Sequence, residues 1–405
     1  MVNERFKVVT FFYPSKVIGG AELLFLRLAI ILSQSTQLLI QYVDYVDGFV
    51  ATEIEKYNHN IKIIPFHNYQ GIKLLKGSLL VTPLSSIFQV ARFFNKEVYV
   101  MLWSIHPMGL KEAIDLLPSH IPSVSYKRYG QDLTNLIALN GLFFMDKPNF
   151  TIQKSIFDLQ QLQVNYLPIF SSDVTHLKKY GTLDSAILSL GWLGRLCIEK
   201  VNPLLNVISH CNDYLKIRPT EKIIFYIIGD GDKKTMVQNF EIHKNLELRF
   251  LGILSGEELH KFMLKQVDLM FAMGTSALEI ASLNIATILV DFSFTEIPKN
   301  NRFRYLYESM DYSVGDKFQV DNNYKHEFNS ILETLKSGEI SYHAKMCYDY
   351  FCFHHSENSV VNKFCSILST INVRVLDINN SKFGKYRQLF IIKSMYFKIK
   401  KWFGI

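Results

Sequence analysis

At 405 residues and 48% hydrophobic content, the chain is long for one core and too apolar to be disordered, so two domains of ordinary size are expected. The five cysteines, Cys197, Cys211, Cys347, Cys352 and Cys365, form no CxxC pair; neither a disulfide framework nor a zinc site is expected, and the chain reads as a reduced, cytoplasmic one. The net charge of +7 sits in residues 382–405, where Lys382, Lys385, Arg387, Lys393, Lys398, Lys400 and Lys401 stand without an acid, so the other 381 residues are neutral overall and a broad nucleic-acid-binding face is disfavoured.

In chain order, residues 7–12 read as a strand entered directly from a charged lead, without the succession of a signal peptide. A turn over 14–20 and an amphipathic helix over 21–33 follow. Further strands are expected at 38–43, 61–65, 78–82 and 98–103, each followed by turn or helix signals. No run reaches the roughly 18 apolar residues that a membrane-spanning helix needs. Residues 165–169 read as one more strand, and the polar stretch 170–182 as an interdomain linker. The alternation then restarts: strands at 187–193, 223–228, 246–251, 268–272 and 287–291, with helices at 202–211, at 256–265 and between the last two strands. Strands alternating with helices predict parallel βαβ units and two doubly wound sheets.

Four segments carry chemistry. Gly19-Gly20-Ala21-Glu22 lies between the first strand and first helix, where glycines permit close backbone approach and a helix N-terminus attracts an anion. It is not the GxGxxG fingerprint of dinucleotide enzymes, and a turn that merely needs glycine explains it equally well. Arg195 and Lys200, five apart after the strand 187–193, place two cations at a strand's carboxyl end, which suits a diphosphate; a surface pair is the ordinary alternative. Gly229-Asp230-Gly231 forms a tight turn after an apolar strand, either near a ligand or simply leading into a helix. Gly274, Thr275 and Ser276 open a helix after the strand 268–272 and offer amides and hydroxyls to phosphate oxygens. Glu279, one turn further, suits hydrogen bonds from the two hydroxyls of a ribose; a solvated surface charge is the ordinary alternative for a lone helical Glu.

The order and spacing of these segments resemble the GT-B glycosyltransferases, especially glycosyltransferase family 4. The likeness rests on the GGAE turn, a GR…K element, a GDG turn, Phe250-Leu251-Gly252 and a phosphate loop ending in a helical Glu, and it spans about residues 6–370. The resemblance implies an α/β chain with two Rossmann-like domains facing across a cleft. An acceptor-side domain would occupy residues 1–175, and a nucleotide-sugar domain 176–370, with its last helix, near 350–369, returning to the first domain. It implies that Gly19 and Gly20 lie beside the donor phosphates. Arg195 and Lys200 would hold the diphosphate and stabilise the leaving group, with Gly229, Gly274, Thr275 and Ser276 on the donor and Glu279 on its ribose. His106, in LWSIHPMG, resembles the family histidine near the transferred sugar; a structural His beside a turn proline is the alternative. The family's first glutamate, eight residues before Glu279, is replaced here by Phe271.

The resemblance further implies a retaining, metal-independent transfer with a nucleotide-sugar co-substrate, UDP-sugar ahead of GDP-sugar. The acceptor would be a glycan or a polyprenyl-linked glycan in surface polysaccharide biosynthesis. Asp44 and Asp47 follow an N-terminal strand, the wrong place for a metal-binding DxD. A degenerate binding or scaffolding subunit, or a sugar-nucleotide epimerase of the same fold, are the competing expectations. The segment 371–405 is expected to be a basic aromatic tail. In it Leu389, Ile392, Tyr396, Ile399 and Phe403 form one helical stripe beside the cations, which suits contact of residues 382–405 with an anionic membrane surface at the cytoplasmic face; a helix packed on the N-terminal domain with a solvated charged face is the alternative.

Overall fold

The computed structural model describes residues 5–57, 60–116, 125–160, 163–180 and 187–385. The chain divides into two compact units, Met1–Ile169 with Val360–Ile405, and Phe170–Ser359. The first unit is built on β1 (Val8–Phe12), β2 (Leu39–Asp44), β3 (Lys62–Pro65), β4 (Leu79–Pro83), β5 (Tyr99–Ser104) and β6 (Leu142–Phe144), in the order β3-β2-β1-β4-β5-β6. All its strand pairs are parallel. The second is built on β7 (Ile187–Leu193), β8 (Lys222–Ile228), β9 (Leu246–Gly252), β10 (Leu269–Ala272), β11 (Ala286–Leu289) and β12 (Arg304–Tyr305), in the order β12-β11-β10-β7-β8-β9. Only β12 runs antiparallel, along β11.

Parallel sheets are covered on both faces, which is why β1 (VVTFF) and β4 (LLVTP) bury all their side chains and show no alternation. Their threonines survive burial through hydrogen bonds: Thr10 Oγ1 donates to Gln41 Oε1 at 3.1 Å and Thr82 Oγ1 to the Phe12 carbonyl at 2.7 Å. In each unit the chain winds outward from a central strand, β1 or β7, then crosses back to that strand's other side with β4 or β10. Loops leaving the strands' carboxyl ends on either side of that crossing diverge, and the gap between them is where such sheets bind ligands.

Three sequence expectations shift. Residues 165–169 contribute a single bridge, Tyr166 to Phe144, and the sixth strand of the first sheet is the short run Leu142–Phe144. Three residues are too few to show a period. The stretch 170–180 packs on the second unit: Lys178 is buried, with Nζ 3.1 Å from Asp268, and its amide donates to the Leu283 carbonyl at 2.8 Å. Tyr180 accepts from the Ala286 amide and donates to the Asp268 carbonyl, both at 3.0 Å, so this strap ties the starts of β10 and β11. The helical region near 350–369 is two helices, Ile340–His354 and Glu357–Ile367, and the division between the units falls inside the second.

The segment expected to begin the tail is, through residue 385, part of the first unit's core. The Val100 amide donates to the Val373 carbonyl and the Val375 amide to the Val98 carbonyl, both at 2.9 Å. Gly141 leaves room for Val373, whose Cγ2 would lie 2.2 Å from any Cβ there. Phe383 is fully buried, stacked on Tyr129 at 4.9 Å and edge-on to Phe88 at 5.5 Å. The Lys382 amide donates to Asp132 at 3.0 Å. Lys382 and Lys385 flank Phe383 and open the basic run, and composition does not register where a ring is seated. The membrane-contact expectation for Arg387 through Phe403 lies outside the described residues. Among the described residues, no helix is long and apolar enough to cross a membrane.

Phe383→Ala is expected to destabilise the first unit by about 3–5 kcal/mol, the usual effect of removing a buried ring. Thermal melting of the full chain checks this; an unchanged melting profile would mean that the ring is not seated in the core.

Candidate functional site

The carboxyl edge of the second sheet is assembled by close backbone packing. The Gly194 amide donates to the Ile228 carbonyl and the Leu196 amide to the Asp230 carbonyl, both at 3.0 Å; the Gly229 amide donates to the Gly252 carbonyl at 2.7 Å. These bonds sew the ends of β7, β8 and β9 together. Gly229 has φ +138°, and a Cβ there would lie 2.1 Å from the Gly194 carbonyl oxygen. Its glycine is therefore required by the neighbouring loop, and its amide, one group expected to face a donor, is already engaged. Asp230 is pinned by the Gly231 amide at 2.8 Å and Lys234 Nζ at 3.1 Å, which hold its carboxyl below the ordinary range.

Two cations stand on the loop and helix that follow β7. Arg195 is exposed, and Lys200 lies in the first turn of the helix Ile198–Ile217, its Nζ 3.8 Å from where a Gly194 Cβ would be. Neither side chain makes an ion pair or hydrogen bond among the described residues. Burial lowers the Lys200 ammonium below the usual lysine value, and Arg195 adds to the lowering, against the opposing pull of Glu199. Between them the Cys197 thiol donates to Glu199 Oε1 at 3.0 Å. Burial and that carboxylate push the thiol up to about 11, so Cys197 stays protonated and is no nucleophile.

Across the crossing, β10 leads into the helix Thr275–Ser282 through Gly274, at φ +66°. The Gly274 amide donates to the Val314 carbonyl at 2.6 Å, so it too is unavailable to a ligand, contrary to the expectation from sequence. The next two amides, of Thr275 and Ser276, donate to no protein group among the described residues. They are the open N–H groups of a helix start, where an anion is stabilised. Glu279 lies one turn on, on the same side of the helix as Thr275. Its Oε1 accepts from His260 Nε2 at 3.2 Å, with His260 on the preceding helix, Gly256–Gln266.

Val314 is itself held by a buried ionic cluster. Asp291, just after β11, accepts from Arg304 at 2.9 Å, from the Asp316 amide at 2.8 Å and from the Tyr324 hydroxyl at 2.5 Å; Arg304 also reaches Asp316 at 3.2 Å. Phe271, where the family has a glutamate, is a core residue in β10. It stacks with Phe225 at 6.3 Å and Phe328 at 6.0 Å, and meets Phe303 edge-on at 6.0 Å.

The structure thus brings Arg195, Lys200, Gly229, Gly274, Thr275, Ser276 and Glu279 to one edge of the second sheet. Gly19, Gly20 and His106 stand on the corresponding edge of the first. Gly19 caps the helix Gly20–Ser35, with the carboxylate of the buried Glu22 folded back so that a Gly19 Cβ would lie 2.6 Å from Oε2. Gly20 is exposed, and a Cβ there would meet nothing within 4 Å. His106 is exposed after β5, beside Ser85 and Gly109, and β4 separates its strand from β1. Asp44 is buried and accepts from the Ser15, Tyr45 and Ala51 amides at 2.9, 2.8 and 3.1 Å, while Asp47 pairs with Lys16 at 2.6 Å. Both organise loops. No group of three or more acidic, His or Cys side chains with metal-holding geometry occurs among the described residues.

No protein-family model and no curated protein matches this sequence. Among solved structures, the N-terminal domain of trehalose-6-phosphate phosphatase from Candida albicans is similar at a TM-score of 0.50 and 12% identity, over 90% of this chain and 96% of that one. Anabaena HepE, solved with UDP and glucose, is similar at a TM-score of 0.47 and 12% identity, over 90% of this chain and 100% of that one. A point mutant of S. aureus TarM, solved with fondaparinux, alpha-GlcNAc-glycerol and UDP, is similar at 0.44 and 12% identity, over 72% of this chain and 55% of that one. With its two six-stranded, parallel-dominated α/β sheets, the chain has the fold of the GT-B glycosyltransferases.

Gly229→Ala should place a methyl group against the Gly194 carbonyl at an unfavourable φ, costing on the order of 1–3 kcal/mol. Thermal melting reads this as a lower midpoint for the second unit; wild-type stability would show that the β7 and β8 loops are not packed this closely.

Proposed function

We propose that the chain is a glycosyltransferase that takes a UDP-sugar as donor and transfers its sugar to a hydroxyl of a glycan or lipid-linked glycan. The observation that carries this reading is the pair of cations, Arg195 and Lys200, without side-chain partners among the described residues, set across the sheet crossing from the open amides of Thr275 and Ser276. Four donors at the sheet edge where the strand order reverses suit a diphosphate. Glu279, one helical turn (about 5.4 Å) further on, stands about where the ribose of a nucleoside diphosphate would follow. HepE and TarM, solved with UDP, make uridine the nucleotide to test first.

In this reading the bond between the sugar's anomeric carbon and the diphosphate breaks as the acceptor oxygen bonds to that carbon. Negative charge grows on the departing diphosphate, where Arg195 and Lys200 stabilise it more strongly than in the ground state. That diphosphate takes the acceptor's proton in a retaining, metal-independent transfer. Gly19 and Gly20 take the place beside the donor phosphates and His106 the place near the transferred sugar that the resemblance gives them, and residues 386–405 bring the enzyme to an anionic cytoplasmic membrane face where lipid-linked acceptors lie. Surface polysaccharide assembly is the corresponding process.

Calorimetric titration with UDP tests the reading directly, and Arg195→Ala and Lys200→Ala should each weaken binding about tenfold or more. Wild-type protein that binds no UDP, or variants that bind it unchanged, would overturn it. Because burial lowers the Lys200 pKa, a bound diphosphate must keep the amine protonated. UDP affinity should therefore fall as the pH rises through that lowered value, below the ~10.4 of an ordinary lysine. Lys200→Arg should abolish this fall, since a guanidinium stays protonated; a pH profile identical to wild type would show that Lys200 is not the titrating group.

A further inference from the structure

We infer that His260 is the positioning residue that sets the Glu279 carboxylate for a ribose diol, and so makes the site discriminate ribonucleotides from deoxyribonucleotides. This rests on the nucleotide-sugar reading of the same site.

Glu279 belongs to the helix that begins the anion-binding turn, and it is neither a solvated surface charge nor a core residue: its side chain is 31% exposed, and that of His260 is 25% exposed. Its one side-chain hydrogen bond among the described residues runs from His260 Nε2 to Oε1 at 3.2 Å. Oε2 has no protein donor among them. A glutamate on a helix has three side-chain torsions and, unrestrained, samples many directions; a donor held on another helix selects among them before any ligand arrives. His260 is suited to this because its helix, Gly256–Gln266, is anchored by the buried Leu259 and Met263 on either side of it in sequence. The ring therefore projects from a fixed backbone.

The chemistry of the arrangement is specific. A carboxylate whose Oε1 is already occupied by one N–H keeps lone pairs on Oε1 and both on Oε2, enough to accept from two adjacent hydroxyls. A vicinal diol such as the 2′- and 3′-hydroxyls of ribose satisfies it. A 2′-deoxyribose leaves part of this acceptor capacity unfilled in a half-buried setting, and that mismatch is what selectivity for the ribonucleotide would consist of. The other charged groups on this face do not compete for Glu279. Glu257, one turn earlier on the helix of His260, is held below the usual carboxylate range by Lys261, with lesser contributions from His176 and His260. Arg195, Lys200, Thr275 and Ser276 make no hydrogen bond with the His260 side chain among the described residues, so its effect should be confined to the sugar end of the nucleotide.

The test is the ratio of affinities for UDP and 2′-deoxy-UDP, measured by titration on the full chain, with inorganic pyrophosphate as a third probe. Wild type should prefer UDP by about tenfold or more, as one charge-assisted hydrogen bond implies. His260→Ala should reduce the preference to about twofold while leaving pyrophosphate affinity within about twofold of wild type. Glu279→Ala should show the same collapsed ratio. His260→Gln, whose amide N–H reaches about as far as Nε2, should restore most of the preference. A His260→Ala protein that keeps the wild-type ratio while Glu279→Ala loses it would overturn the inference and leave the nucleotide reading intact. A wild type that binds UDP and 2′-deoxy-UDP equally would overturn the ribose role of Glu279 and His260 together. Wild type that binds neither nucleotide would overturn the underlying reading as well. Loss of pyrophosphate binding in both His260 variants would mean that His260 supports the fold of the site rather than aiming Glu279, and would also overturn it.

Discussion

The Gly229 α-carbon lies so close to the Gly194 carbonyl that no side chain fits between them, since a Cβ would come within 2.1 Å of the oxygen. This contact lets the loops after β7 and β8 share backbone hydrogen bonds, and the sharing fixes where Arg195 and Lys200 emerge. A looser junction would leave Arg195 and the start of the helix that carries Lys200 without a fixed backbone. The same junction absorbs amides that looked available to a ligand. Gly229 donates to Gly252, so the groups left without protein partners among the described residues are the Arg195 and Lys200 side chains on one side of the crossing and the Thr275 and Ser276 amides on the other.

The far side of the crossing is held by charge instead of by close backbone packing. Asp291 and Arg304 form a buried pair, with Tyr324 and the Asp316 amide completing the carboxylate's hydrogen bonds. Buried ion pairs contribute little net stability, but losing one partner is costly, so such clusters hold geometry firmly. What this one holds is the segment that includes Val314, whose carbonyl takes the Gly274 amide and so directs the start of the helix Thr275–Ser282. Phe271, beneath this start, closes the core with Phe225, Phe303 and Phe328. An ionised carboxyl in that ring cluster would lack compensating donors, which accounts physically for an apolar residue there.

Much of the architecture was legible because parallel βαβ units leave a strong local signal: short apolar strands bounded by glycine or polar turns. The seven-residue strand Ile187–Leu193 matches its expected span, and most other strands differ by one or two residues at an end. Legibility failed where a segment's role depends on what it touches. Leu142–Phe144 is too short to display a period, and Tyr166 pairs with it through a single bridge. Residues 371–385 read from sequence as the start of a basic tail, yet Val373, Val375 and Phe383 are fully buried.

From the sequence alone came the two βαβ halves, the glycine turns at strand ends, and the placing of Arg195, Lys200, Thr275, Ser276 and Glu279 at strand ends and a helix start. These follow from local rules: strand period, backbone freedom of glycine, and the open amides of a helix start. Tertiary structure decided which of those groups remain free to bind. The amides of Gly229 and Gly274 are taken by carbonyls from Gly252 and Val314, and Glu279 has gained His260 from another helix. Such partners are 19 to 40 residues apart, and no local pattern encodes them. Hydrogen-bond capacity is settled only when the chain closes on itself, because a donor engaged by one carbonyl is withdrawn from every other acceptor.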